Sequence, residues 1–352
     1  MKLAESDLEA KASEVVSDCF AEVPFCSLRW GKKEVPVGTD RIDRIGKLTI
    51  DGEGERTLLL EVKRDGQPRF LREAAYALRR YGEEFKRPYG VVVAPYISDA
   101  AAEILAEEGV GYVDFAGNCR IAVGKVYIRK SGQANRFTEK RDLRSLYSPK
   151  AERVLRVLLE NPKRKWLLKP LSEAADVSLG QVSNVKKLLD GREWLKDTDK
   201  GILVTNYDAL LTEWSKSYQP SRNVPAEYYA MASLSEIERA VAGENEGPPL
   251  GALTGFSAAA RFAPAVRYQR AQAYVKGRTE AVAERLGWKP VTSGGNVTLI
   301  QPYDEGVFEG SKVIDGVNVV SPVQAYLDLW KNPGRGEEAA EALYREVIKP
   351  SW

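Results

Sequence analysis

The stretch that decides the fold is a short apolar run that ends in a Glu-x-Lys pair, Leu58-Leu59-Leu60-Glu61-Val62-Lys63. Side chains alternate along a β-strand, so Glu61 and Lys63 share one face while Leu60 points into the core. A short apolar run bounded by turn residues is typical of a buried strand. The run therefore predicts a strand that presents one acid and one lysine at its end.

A second acid on the preceding strand can complete the group. Asp43 begins an extended stretch that would lie beside the Glu-x-Lys strand, and Asp40 is the alternative acid. Two carboxylates can hold Mg²⁺ or Mn²⁺, which neutralises phosphate charge and activates a water, while a lysine steadies the nucleophile. We predict Asp43, Glu61 and Lys63 as a catalytic set with Asp43 and Glu61 as metal ligands. A solvated sheet face is the ordinary alternative for such a triplet.

The surrounding elements follow an αβββαβ order. An amphipathic helix at 8–19 precedes extended stretches at 26–30 and 43–50, a turn at 51–54, the Glu-x-Lys strand, a helix at 70–85 and a buried strand at 89–94. This order, with the three polar residues at matching places, resembles the PD-(D/E)xK restriction-endonuclease-like superfamily over residues 1–130. The resemblance implies an α/β nuclease fold that either cleaves DNA with a metal or retains only DNA binding or a scaffold role.

Composition restricts the possible chemistry. The chain has 352 residues and no histidine, which excludes Ser-His-Asp and Cys-His catalysis and histidine-ligated zinc. The three cysteines show no C-x-x-C spacing, and no apolar run is long enough for a signal core or a membrane span. These features predict a cytoplasmic protein of two or three domains with no membrane association.

The middle of the chain is strongly basic. Between residues 129 and 169 there are thirteen Lys or Arg residues and four acids. The polar start of this stretch predicts a basic linker at 131–147. Basic linkers next to DNA-reading domains often follow the phosphate backbone, and a solvated tether is the alternative.

Residues 148–207 predict a winged helix-turn-helix. Ser148-Pro149 begins a first helix, a second follows near 170–175, and a third begins after Ser178 with Leu179, Val182, Val185 and Leu189 directed inward. A hairpin follows across Asp199-Lys200. The third helix of this fold enters the major groove. We therefore predict these contacts to double-stranded DNA: Ser178, Gln181, Ser183, Asn184, Lys186, Lys187, Lys196 and Lys200.

The remaining residues, 208–352, predict an α+β domain with strands at 273–275, 297–300 and 312–320. Gly255-Phe256-Ser257 could form the Gly-Ser turn of a nucleotidyltransferase, but the next strand, 272–276, contains no acid. Active nucleotidyl transfer is therefore not expected. Tyr326, Leu329 and Trp330 belong to a capped helix with a full apolar face and are expected in the core.

Three longer sequence stretches in this part of the chain are specific enough to indicate a protein family. The predicted winged helix is followed by three phrases: residues 251–259, residues 320–330 and residues 333–340. Together, from about residue 148 to 350, they resemble the AbiEi family of abortive-infection antitoxins. The resemblance implies a regulator of a type IV toxin–antitoxin pair that represses its operon and opposes a nucleotidyltransferase-like toxin.

Two hypotheses from different classes follow. In the first, which we favour, the chain is a DNA-binding regulator and antitoxin, acting as a homodimer, with a nuclease-like domain added in front. In the alternative it is a Mg²⁺- or Mn²⁺-dependent DNA nuclease that the winged helix directs to its target.

Overall fold

A computed structural model describes residues 5–135, 146–243, 248–332 and 335–352, with side chains from residue 8. Most of the predicted linker at 131–147, together with Pro333 and Gly334 of the third antitoxin-like phrase, lies outside the described residues. The chain forms two compact units, one from its N-terminal residues and one that holds most of the remainder. No helix in the described ranges has the length and apolar character needed to cross a membrane.

The first unit is a sheet with helices on both faces. Its elements are α1 (Glu5–Ala21), β1 (Cys26–Val37), β2 (Asp40–Ile50), β3 (Gly54–Val62), α2 (Pro68–Gly82), β4 (Pro88–Ala94), α3 (Asp99–Glu107), β5 (Gly111–Asp114), β6 (Cys119–Val123) and β7 (Val126–Lys130). The described strands pair in sequence order; β3, β4 and β5 run parallel and the other neighbours antiparallel. The predicted αβββαβ order is confirmed.

The apolar run of β3 exists because this strand is covered on both faces. Leu58 and Leu60 pack in the cluster that holds Ala12 and Val16 of α1. Leu59 faces the opposite cluster, with residues of α2 and α3. A strand buried on both faces does not alternate apolar and polar residues, so this sequence is continuously apolar from Leu58 to Leu60.

The turn between β2 and β3 fixes the register that brings the polar residues together. Gly52 and Gly54 adopt φ values of 78° and 85°, a region that favours glycine. The antiparallel pairing then runs from Ile50↔Gly54 to Arg44↔Leu60. One further step in this register places position 43 opposite position 61, so both side chains lie on the same face.

The second unit begins with three helices and a hairpin in the predicted order. These are α4 (Pro149–Glu160), α5 (Leu168–Ala174), α6 (Leu179–Gly191), β8 (Leu195–Thr198) and β9 (Gly201–Val204). Val182, Val185 and Leu189 of α6 are buried as predicted. The inward prediction for Leu179 was wrong: its side chain is 50% exposed.

The rest of this unit surrounds a second seven-stranded sheet within the described residues. Its elements are α7 (Tyr207–Ser217), β10 (Val224–Tyr229), α8 (Leu234–Ala242), β11 (Gly251–Leu253), α9 (Gly255–Phe262), β12 (Ala271–Val275), α10 (Thr279–Arg285), β13 (Lys289–Pro290), β14 (Val297–Gln301), β15 (Lys312–Ile314), β16 (Val317–Val319), α11 (Pro322–Trp330) and α12 (Gly336–Leu343). The chain ends in a π-helical turn, Tyr344–Ile348, and a short helix, Lys349–Ser351.

Two features of this sheet differ from the sequence prediction. The single strand predicted at 312–320 is a hairpin, because Asp315 and Gly316 adopt φ values of 51° and 75° and turn the chain. The strand β10 and the helix α8 were not predicted.

Leu329 and Tyr326 are buried in a core that also includes Val154 and Leu155 of α4, so the three helices and the sheet share one hydrophobic cluster.

Candidate functional site

The three polar residues predicted as a catalytic set lie together at the end of β3. Lys63 Nζ is 2.8 Å from Glu61 Oε1. Asp43 Oδ2 accepts a hydrogen bond of 2.6 Å from the backbone N–H of Val62. The backbone N–H of Lys63 donates to the carbonyl of Val93 on β4, which fixes the strand end beside its parallel neighbour. The structure therefore gathers both acids and the lysine on adjacent strands.

The Glu61 carboxylate is held in an environment that disfavours its charge. Its side chain is 11% exposed, and Oε2 has no hydrogen-bond partner among the described residues. Burial raises the pKa of Glu61, the charge of Asp43 raises it further, and Lys63 opposes both effects. A divalent cation bound here would relieve this cost, because it supplies positive charge to the unpartnered oxygen.

The donor set fits a hard cation. Asp43 and Glu61 provide carboxylate oxygens, the ligand type that Mg²⁺ and Mn²⁺ prefer. The described residues contain no cluster of three or more His, Cys, Asp or Glu side chains placed to bind a metal. The protein would therefore hold the ion through two acids, with water or phosphate oxygens completing its shell. The alternative acid, Asp40, instead forms an ion pair with Arg80.

The outer face of α6 presents the amide, hydroxyl and lysine side chains that the sequence placed there. Ser183, Asn184 and Lys187 are exposed, and Gln181 is half-buried. Lys196 and Lys200 are exposed on the hairpin that follows. Positions three and four apart on a helix are surface neighbours, so the residues of α6 form one polar strip opposite its buried face.

Ser178 and Lys186, both predicted as DNA contacts, also have partners within the protein. Ser178 Oγ accepts a hydrogen bond of 3.2 Å from the backbone N–H of Gln181, so this hydroxyl caps the start of α6. Lys186 Nζ is 3.1 Å from Asp197 on the hairpin. These residues hold the helix and the hairpin in place.

Two cations of the basic stretch are not available to phosphates. Arg153 binds Asp304, with Nε 2.7 Å from Oδ1, and also pairs with Asp176. Arg156 is fully buried, and its Nε and Nη2 donate to Gln324 Oε1 at 2.9 and 2.7 Å. The sequence count of basic residues therefore overstated the positive surface of α4.

Arg156 belongs to a cluster that sequence reasoning missed. The buried polar cluster consists of Glu152, Arg156, Gln324 and Asp328. Glu152 is 1% exposed, and Trp214 Nε1 and the hydroxyl of Tyr303 donate to it. Gln324 Nε2 donates to Asp328, which also accepts hydrogen bonds from Tyr218, Tyr274 and Thr254. The available signal was a Glu and an Arg four residues apart, with Arg156 between the apolar residues Leu155 and Val157.

The Gly-Ser turn of the second unit, Gly255-Phe256-Ser257, is hydrogen-bonded to Gln272 on β12. Gln272 Oε1 accepts a hydrogen bond of 3.2 Å from the backbone N–H of Phe256, and Ser257 Oγ accepts one of 3.0 Å from the N–H of Gln272. Gln272 on β12 thus holds the start of α9 through two hydrogen bonds.

Solved structures of endonucleases resemble part of the chain. An EndoMS complex with double-stranded DNA has 24% identity and a TM-score of 0.24, and the match covers 32% of this chain and 46% of that one. A repair endonuclease from Pyrococcus abyssi has 20% identity and a TM-score of 0.25, with 33% and 49% covered. The chain therefore spans about half the length of the structures it matches. A comparison with curated proteins found no match.

A family model matches the C-terminal part of the chain. The family is described as "Transcriptional regulator, AbiEi antitoxin, Type IV TA system", and the match covers residues 203–349. The resemblance inferred from the phrases at 251–259 and 320–330 is thereby confirmed. Residues 203–349 are therefore similar in sequence to this family.

Proposed function

We propose that this chain is a transcriptional regulator and antitoxin that reads double-stranded operator DNA with α6. The observation that carries the proposal is the exposed strip of Ser183, Asn184 and Lys187 on a third helix whose opposite face is buried. This helix and the hairpin after it share one core with the residues that match the antitoxin family.

The strip has the chemistry of a base-reading surface. The amides of Asn184 and Gln181 can bond the N6 and N7 edge of adenine in bidentate fashion. Lys187 on α6, and Lys196 and Lys200 on the hairpin, offer point charges to phosphates. Ser178 and Lys186 stay predicted phosphate contacts, and their hydrogen bond and ion pair within the protein also position α6.

The antitoxin half of the proposal concerns residues 203–349. The family description names a type IV toxin–antitoxin system, and we infer a nucleotidyltransferase-like toxin as the cognate partner. A homodimer that places two copies of α6 on paired half-sites is the expected DNA-bound form, because winged-helix regulators commonly read inverted repeats.

The DNA contacts can be tested with duplexes selected from a random pool by the purified protein. Asn184→Ala is expected to weaken binding to the selected site by about 1–3 kcal/mol and to relax preference at one base pair. Lys200→Ala is expected to weaken binding to all duplexes and to reduce the slope of log K against log salt by about one. Fluorescence anisotropy across a salt series measures both effects.

Lys289→Ala is the matched control, because Lys289 is an exposed lysine on the edge strand β13. It should leave affinity and salt slope unchanged. A wild-type protein that selects no sequence, or an Asn184→Ala variant with unchanged base preference, would contradict DNA reading by α6.

A second candidate function is metal-dependent DNA cleavage. It is favoured by the unpartnered, buried Glu61 Oε2 beside Asp43 and Lys63. Asp43 and Glu61 would hold Mg²⁺ or Mn²⁺, and the ion would supply charge neutralisation at a scissile phosphate and an activated water. Lys63 would then steady the attacking oxygen or the phosphoryl oxygens from its place beside Glu61.

Cleavage is tested with plasmid, single-stranded and branched DNA in the presence of Mg²⁺, Mn²⁺ or EDTA. If the site is active, Lys63→Ala is expected to lower the cleavage rate by at least a hundred-fold, the scale of removing one group that stabilises transition-state charge. Lys47→Ala, an exposed lysine on β2, serves as the control. If the wild-type protein binds DNA but cuts none of these substrates, the nuclease function is contradicted and only the regulator function remains.

A further inference from the structure

The start of α6 carries an apolar side chain that the fold does not bury. Leu179, the first residue of the helix, is 50% exposed, whereas Val182, Val185 and Leu189 are each 1% exposed. It lies four residues before Ser183, so the two side chains are neighbours at the border of the polar strip. A leucine at this position is not needed for the core of the helix.

Leu179 is the most exposed apolar side chain at the start of α6, because the residues beside it are small or polar. A Cβ added at Gly180 would meet only Ser178 Oγ, at 3.9 Å, so the space outside Gly180 is open. Ser183 is small and exposed. Side chains of a helix lean towards its N-terminus, so Leu179 projects beyond the first turn. In a helix-turn-helix protein, the N-terminal residues of the recognition helix contact base edges.

We propose that Leu179 is a specificity-determining residue that contacts the C5-methyl group of a thymine in the major groove. The proposal rests on the proposed function, because it assumes that α6 reads DNA. The thymine methyl is the apolar feature that the major groove displays, and apolar side chains recognise it by contact. Small residues at Gly180 and Ser183 permit the close approach that this contact requires.

The test replaces each thymine of a selected duplex, one at a time, by deoxyuridine, which pairs identically and lacks the methyl group. At one thymine the wild-type protein should lose affinity by about four-fold, the loss expected for one methyl group returned to water. Leu179→Ala should bind the thymine duplex more weakly and should no longer distinguish thymine from deoxyuridine there. Leu179→Met, which restores an apolar side chain of similar length, should recover the distinction.

Leu167→Ala is the matched control, because Leu167 is 59% exposed and precedes α5 instead of opening α6. It should keep the wild-type preference for thymine. Discrimination by Leu179→Ala equal to that of the wild type would overturn the proposal while leaving DNA reading intact. A uniform loss of affinity with a change in oligomeric state would also overturn it, since Leu179 would then contact protein. Failure of the wild type to select any duplex would instead contradict the proposed function.

Discussion

Replacing Arg156 by alanine is expected to lower the free energy of unfolding of the second unit by about 3–5 kcal/mol. The guanidinium is fully buried, lies 4.0 Å from Glu152 Oε2 and donates twice to Gln324. Its removal leaves a buried carboxylate with reduced compensation and an amide oxygen without either donor. Breaking one partner of such a cluster is more destabilising than replacing the whole cluster by apolar groups.

Urea unfolding followed by tryptophan fluorescence measures this effect. Six of the seven tryptophans lie beyond residue 146, so the signal reports chiefly on the second unit, and the Arg156 guanidinium lies 5.1 Å from the ring of Trp214. Lys150→Ala is the control, because Lys150 is an exposed cation of the same helix and should cost less than about 0.5 kcal/mol. Equal unfolding curves for the two variants would contradict a structural role for the cluster.

A double variant separates lost charge from lost packing. Glu152→Gln with Arg156→Met removes both charges and keeps most of the side-chain volume. We expect it to recover part of the stability lost in Arg156→Ala, because the charge of Glu152 is removed together with its partner. Because both variants lack the hydrogen bonds to Gln324, a double variant no more stable than Arg156→Ala would show that the unpaired Glu152 charge does not cause the loss.

The buried cluster shows where sequence reasoning was insufficient. Periodicity predicted α4 correctly because its apolar residues mark one face, and the same rule assigns arginines to solvent. Arg156 violates that rule because residues far along the chain, Gln324 and Tyr303, close over its helix. A single sequence contains no local sign of such partners. The basic stretch was therefore predicted from a count that included charges inside the protein.

The reverse error occurred at Leu179. Spacing alone groups it with Val182, but the first turn of a helix often extends beyond the surface on which the helix packs. By contrast, the site on β3 was predictable from sequence, because strand alternation and a glycine-containing turn determine which side chains meet. The hairpin at 312–320 was predicted as one strand, although Asp315-Gly316 is a dipeptide typical of two-residue hairpin turns and the signal was present in the sequence.

Replacing Glu61 by glutamine is expected to stabilise the metal-free protein at neutral pH by about 1–3 kcal/mol, the usual cost of an unsatisfied buried polar group. Wild-type Glu61 is 8% exposed, its Oε2 has no partner among the described residues, and the charge of Asp43 adds to the cost of ionising it. A neutral amide removes that repulsion. Thermal unfolding in EDTA measures the difference.

Addition of Mg²⁺ or Mn²⁺ should then make the wild-type protein more stable than Glu61→Gln. A ligand that binds only the folded state stabilises it by about 2.7 kcal/mol at one hundred times its dissociation constant, and Glu61→Gln removes one of the two carboxylates that would hold the ion. Glu55→Gln, an exposed acid of the same strand paired with Lys47, should match the wild type in both buffers. Stability that rises equally in wild type and Glu61→Gln would place the ion elsewhere. A variant less stable than wild type in EDTA would show that the pair with Lys63 outweighs desolvation, and that this acid is retained for structure.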